Sequence, residues 1–179
     1  MRHILLDMDG VFYDWIGEVC RVLGVDTAQP KYRQTMKKDP SAFDKMVGRS
    51  IIDRTVASLG SDFWVKIPMF PWANDLYKAL KPLGEITFLT DPRYYLDSPK
   101  GKMIAIRRDF KTDSIMIGSK KHLCAVPHSI LIDDKVENIK KFRKASGAAF
   151  LWPNQYKLVD GDIDVKGVIA KAIEAVNKV

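Results

Sequence analysis

The chain has 179 residues, 46% of them hydrophobic and 28% charged, with a formal charge of +7. That length predicts one domain, or one core with an insertion. No apolar run is long enough to span a bilayer, and the two cysteines, Cys20 and Cys124, have neither disulfide-framework nor metal-ligand spacing.

Reduced thiols and an N-terminal apolar run interrupted by Asp7 and Asp9 predict a cytoplasmic protein rather than a secreted one. The positive balance favours an anionic partner. Its lysines are spread along the chain, so a solubilising surface outweighs a nucleic-acid stripe.

His3 to Leu6 is apolar and runs into Asp7-Met8-Asp9-Gly10. A short apolar run closed by a turn residue predicts a buried strand. Its carboxyl end then delivers two carboxylates, and open α/β sheets bind ligands at that end. Paired carboxylates repel and need a cation, and oxygen-only ligation suits Mg²⁺. The plainer reading is an aspartate pair capping a turn.

Val11 to Leu23 carries apolar residues at helical spacing, with Gly24 as the stop. From Asp26 to Met69 no buried strand is evident. Short amphipathic helices are predicted over Lys31 to Met36, Ser41 to Val47 and Ser50 to Leu59, separated by Pro40, Gly48 and Gly60. A helix follows from Trp72 to Leu80. Glu85 to Thr90 predicts the second strand. Ser98-Pro99 opens a helix to Phe110, with Ser98 as its N-cap. Strands are expected at Ser114 to Ile117, Ser129 to Ile132 and Ala148 to Leu151, with helices from Ser119, from Val136 to Ala145 and, capped by Asp164, from Val165 to Val176. This alternation predicts an α/β fold, a Rossmann-like parallel sheet with helices on both faces. A small helical cap is inserted after the first strand, over 17–67, and the core takes 1–16 and 68–179.

Three further groups fall at strand ends. Thr90 closes the second strand, where β-propensity alone would explain it. Lys120 and Lys121 follow the third, where a solvated pair is the ordinary reading. Asp133-Asp134 follow the fourth, and adjacent acids after a buried strand are costly without a cation.

Asp7-Met8-Asp9-Gly10 resembles motif I, Asp-x-Asp-Gly, of the haloacid dehalogenase superfamily, and the other three groups resemble motifs II to IV in order. The resemblance implies that Asp7 takes the phosphoryl group, Asp9 is acid then base, and Thr90 binds phosphoryl oxygens. It implies a motif III lysine at Lys121, with Lys120 second. It also implies Mg²⁺ held by Asp7, the Asp9 carbonyl and Asp134, with Asp133 behind them. Asn138 completes Asp-Asp-x-x-x-Asn and ties the loop down.

From Ile4 to Pro153 the chain is similar to the 5'(3')-deoxyribonucleotidases of that superfamily. The similarity rests on Leu6-Asp7-Met8-Asp9-Gly10-Val11 with Trp15 six residues after Asp9, on Phe63-Trp64 before Ile67-Pro68-Met69-Phe70-Pro71, on Thr90 followed by Pro92, and on Leu131-Ile132-Asp133-Asp134. It implies hydrolysis of (deoxy)nucleoside monophosphates, with the base among Trp15, Phe63 and Trp64 and the phosphate near Arg93 and Lys102. Core packing is the ordinary reading for the aromatics, and surface cations for the two basic residues. Asp91 departs from the serine of vertebrate members and would repel phosphate unless it turns away, leaving its N–H. Other readings are a sugar-phosphate or nucleic-acid 3'-phosphate-end phosphatase of the same superfamily, or a non-catalytic phosphate-binding module.

Overall fold

The computed structural model describes all residues, 1–179. Five parallel strands form its sheet: β1 (His3–Leu6), β2 (Glu85–Thr90), β3 (Ile115–Ile117), β4 (Ser129–Asp133) and β5 (Ala148–Leu151), in the spatial order β3-β2-β1-β4-β5. β1 is central, with Leu6 opposite Phe88 of β2 and Ile132 of β4. Its apolar side chains alternate between faces, as strand geometry requires. Leu5, Leu89 and Leu131 pack together on one face, whereas Ile4, Leu6, Phe88, Ile130 and Ile132 join the main core on the other.

The chain builds outward from β1 to β2 and β3, then returns to place β4 on the opposite side of β1. The strand order therefore reverses between β1 and β4. Beyond their carboxyl ends the crossovers diverge and leave a crevice. Asp7 leaves β1, and Asp133-Asp134 end β4, at that point.

Nine α-helices surround the sheet: α1 (Trp15–Leu23), α2 (Pro30–Lys38), α3 (Phe43–Val47), α4 (Arg49–Lys66), α5 (Ala73–Leu80), α6 (Ser98–Phe110), α7 (Val136–Lys144), α8 (Gln155–Val159) and α9 (Val165–Asn177). Four sequence expectations are corrected. The first helix starts at Trp15 rather than Val11. Gly10 has φ +83°, the Met8 carbonyl accepts from the N–H groups of both Phe12 and Tyr13, and Trp72 Nε1 donates to the Val11 carbonyl at 2.8 Å. These bonds hold 8–13 as a tight turn, and Asp14 caps α1 by accepting from Gly17 N–H.

Gly60 does not end its helix. It kinks α4 (φ 59°, ψ −149°), and the helix resumes to Lys66. The resumed half is held by α6, where Gly101 lets the backbones close in: a Cβ there would lie 2.5 Å from the Ser61 carbonyl oxygen. In α6 itself Asp97 takes the N-cap position, and Ser98 is buried inside the first turn. The short α8 was not anticipated. Asn154 caps it by accepting from Tyr156 N–H at 2.9 Å.

The helices between β1 and β2 do not form a separate core. Tyr32, Met36, Phe43, Ile52, Val56, Phe63 and Trp64 belong to the same cluster of 34 buried residues as the sheet. Asn154 Nδ2 also donates to the Met36 and Lys37 carbonyls at 2.9 and 3.0 Å, tying α8 to the end of α2.

Candidate active site

Four acidic groups and two buried lysines meet at the crevice. Lys121 Nζ lies 2.6 Å from Asp7 Oδ1 and 2.7 Å from Asp133 Oδ2. Asn138 Nδ2 donates to the same Asp133 oxygen at 2.9 Å, and Lys135 N–H donates to Asp133 Oδ1 at 2.8 Å. Asp133 is thus fully engaged in holding Lys121 and the loop after β4. Asp7 Oδ1 also accepts from Met8 N–H, which leaves its Oδ2 uncommitted.

Burial pushes the Asp7 carboxyl up. The charge of Lys121, aided by Lys135 and Lys102, outweighs that and holds it below the ordinary aspartate range. Asp133 is pushed up by burial and by the Asp7 charge. Asp134 is pushed up to about 7 by the same two causes. Lys121 loses by burial but is driven above its ordinary value by the charges of Asp7 and Asp133.

A divalent cation fits the acids. Carboxylate oxygens of Asp7, Asp133 and Asp134 lie within 4.8 Å of one another. Asp134 Oδ1 and Asp9 Oδ1 are buried without any hydrogen-bond partner. A raised carboxylate with an orphaned oxygen is relieved by a hard cation, which oxygen ligands suit. Gly10 leaves room for it, since a Cβ there would clash with Asp134 Oδ2. Asp7 and Asp134 are the side chains free to bind. Asp133, expected behind the metal ligands, is engaged by Lys121 and Asn138.

The second lysine, Lys102, is 0% exposed. Its Nζ donates to Asp9 Oδ2 at 2.7 Å, Thr90 Oγ1 at 2.9 Å and the Asp91 carbonyl at 2.7 Å, over the Trp64 ring. It therefore sits behind Asp9 with all its donors taken, and the expected contact with substrate phosphate is corrected. Thr90 is fully buried, and its hydroxyl faces Lys102.

A cleft of 520 Å³ opens in front of Asp9, Gly10 and Asp134 and reaches Asp39, Phe43, Asp44 and Arg49 of the inserted helices. Trp15 and Arg93 line it, with the guanidinium 4.5 Å from the Trp15 ring centroid. Arg93 adopts φ +51°, and its N–H donates to Asp91 Oδ1 at 2.7 Å. The Asp91 carboxylate thus folds back on its own turn. Phe63 and Trp64, at 2% and 1% exposure, are sealed between α4 and α6 and do not line the cleft. Packing explains them, and the expected stacking on a base is corrected. Lys120 is exposed at the edge of the turn, and Lys121 is the lysine that reaches Asp7.

Sequence reasoning missed Phe43, Arg49, Lys135 and Gln155 at this cleft. Arg49 is held by Asp44 at 2.8 Å, by Asp53 and by the Tyr94 hydroxyl. Lys135 was the one legible omission, because it adjoins Asp133-Asp134. The others lie far from any motif.

No family model matches the chain, and neither does any curated protein. Solved structures do. A haloacid dehalogenase-like family hydrolase from Xanthomonas campestris superposes with a TM-score of 0.57 at 10% identity, over 99% of this chain and 93% of that one. The fold is haloacid dehalogenase-like. An L-2-haloacid dehalogenase matches with a TM-score of 0.54 at 14% identity, over 86% and 85%. CbbY from Rhodobacter sphaeroides, in complex with phosphate, matches with a TM-score of 0.52 at 15% identity, over 87% and 88%. Within this haloacid dehalogenase-like fold, no helix of the chain is long and apolar enough to cross a membrane.

Proposed function

We propose that the chain is a Mg²⁺-dependent phosphomonoesterase acting on nucleoside monophosphates. The observation that carries this reading is the convergence of Asp7, Lys121 and Asp134 at the switch point, with Asp9 beside an open cleft. Sequence-distant charges are buried together only where something compensates them. The inserted helices over 17–67 serve as the cap that closes the cleft from above.

Asp7 attacks phosphorus through Oδ2, and the bond to the leaving oxygen breaks as an aspartyl-phosphate forms. Lys121 steadies Asp7 and neutralises charge on the phosphoryl oxygens. Asp9, oriented by Lys102, passes a proton to the departing oxygen and then takes one from the water that attacks the aspartyl-phosphate. Asp7 and Asp134 would hold the Mg²⁺, whose charge lets an anionic nucleophile meet an anionic ester. Thr90 acts through Lys102, and the Asp91 and Arg93 segment forms the wall of the phosphate end.

The cleft lining carries Asp9, Asp39, Asp44, Asp134 and Glu137 against Arg49, Arg93 and Lys135. Such a balance suits one phosphate with its cation and disfavours a polyanionic strand, despite the +7 of the whole chain. Trp15, with Phe43 close by, provides the aromatic surface for a base. A sugar phosphate is the second reading, favoured by the sealing of Phe63 and Trp64 away from the cleft. CbbY, matched at a TM-score of 0.51 and 15% identity, is described in complex with xylulose-(1,5)bisphosphate.

The test is phosphate release from deoxynucleoside monophosphates, sugar phosphates and a 3'-phosphorylated oligonucleotide, each with and without Mg²⁺. Fastest release from mononucleotides, only with Mg²⁺ and abolished in Asp7→Asn, is the expected result. Full turnover by Asp7→Asn would overturn the mechanism.

A further inference from the structure

Gln155 lies beyond the stretch that resembles nucleotidases, yet it lines the same cleft as Asp9, Asp134, Trp15 and Phe43. Its residue exposure is 7%. Its Nε2 donates to Asp14 Oδ1 at 3.0 Å, an oxygen that also accepts from Gly17 N–H at 2.8 Å. An ionised carboxylate only accepts, so Asp14 dictates which end of the amide faces it. The other end, Oε1, has no protein partner and is not sealed from solvent.

The backbone under Gln155 is held from three sides. Asn154 caps α8 and grips the last carbonyls of α2, while the Tyr156 hydroxyl meets the Tyr32 hydroxyl at 2.8 Å. Placing an amide here costs side-chain entropy and solvation. An acceptor held in one orientation at the cleft wall is what a site needs to select a ligand that donates to it, since a bound ligand that displaces water without supplying the donor leaves it unpaired.

We infer that Gln155 determines specificity. Its Oε1 accepts a hydrogen bond from an N–H or O–H on the leaving group, so that the cleft selects phosphomonoesters of a nucleoside or polyol over those of an apolar alcohol. The inference deepens the phosphomonoesterase reading and rests on it. The donor is either a base N–H or a sugar hydroxyl, and both present the same chemistry to Oε1.

The experiment compares kcat and KM for thymidine 5'-monophosphate, deoxyribose 5-phosphate and phenyl phosphate in the wild type, Gln155→Leu and Gln155→Met. The expected result is a roughly tenfold fall in the kcat/KM ratio of thymidine 5'-monophosphate to phenyl phosphate, entering through KM. A parallel fall for deoxyribose 5-phosphate assigns the donor to the sugar, and an unchanged ratio for it assigns the donor to the base. The methionine variant keeps side-chain length if leucine disturbs α8. Equal effects on all three substrates, or no effect, overturn the inference. Turnover of phenyl phosphate and deoxyribose 5-phosphate but of no nucleotide overturns the nucleotide reading alone, and the deoxyribose arm then decides the role of Gln155.

Discussion

Replacing Lys121 with methionine would remove one charge and keep most of the volume. Lys121 sits between Asp7 and Asp133, 2.6 and 2.7 Å from them, at 2% exposure. Breaking a buried ion pair by deleting one partner costs about 3–5 kcal/mol, because the remaining charge is left unsolvated. Here two carboxylates are left, so the upper end of that range applies. That is a large fraction of the ~5–15 kcal/mol that holds a domain folded. The pH dependence carries the sharper test. In the wild type the folded Asp7 carboxyl lies below 3.8, so its stabilisation is present above that value and is lost as pH falls through the folded value. Without Lys121, burial raises both acids. Stability is then greatest when they are protonated and falls as pH rises above about 4. Urea melts followed by tryptophan fluorescence at pH 5 and pH 7.5 measure this. The variant should lose more stability between the two pH values than the wild type, in which Asp7 is held low and only Asp133 is raised, and adding Asp133→Asn should recover part of the loss. A loss below about 1 kcal/mol, or a pH slope matching the wild type, would refute the buried triad.

Three further outcomes follow from single sites. Asp134, raised to about 7, withdraws stability from the metal-free protein as pH climbs from 3.8 towards 7. Because Asp134 is partly accessible, roughly 2 kcal/mol is the expected size. The rise in melting temperature on adding Mg²⁺ should accordingly be larger at pH 8 than at pH 5, and an equal rise would sink the assignment of Asp134. Gly10→Ala forces a side chain into φ +83° against Asp134. It should cost about 1–3 kcal/mol and, on the proposed function, slow phosphate release more than about tenfold. Gly101→Ala gains about 1 kcal/mol of helix propensity but meets the Ser61 carbonyl and Trp64 Cβ. A net destabilisation in thermal melts is expected, and a stabilised variant would show that α4 and α6 can separate freely.

Local pattern made much of this molecule legible. Apolar runs of four to six residues, closed by glycine or acids, mark β1, β2 and β4 because a strand buried on both faces has no polar face to show. Helices with a glycine or aspartate boundary, such as α9 under Asp164, declare themselves through backbone groups that only such residues satisfy. Gly60 misled for the same local reason. It permits a break, but the packing of α4 on α6 decides that the helix continues.

Residue types and order alone determined that acids and a lysine stand at the carboxyl ends of parallel strands. Proximity in space was for the tertiary structure to decide. Which of two adjacent lysines turns inward depends on a short turn whose direction neither neighbour encodes. Whether Phe63 and Trp64 face a ligand or a helix depends on Gly101, 38 and 37 positions away. Whether Lys102 meets substrate or Asp9 depends on where β1 ends relative to α6. Gln155 and Arg49 could not be read as lining one cleft with Asp9 and Asp134, because the meeting of remote segments is created by packing and leaves no trace in local periodicity.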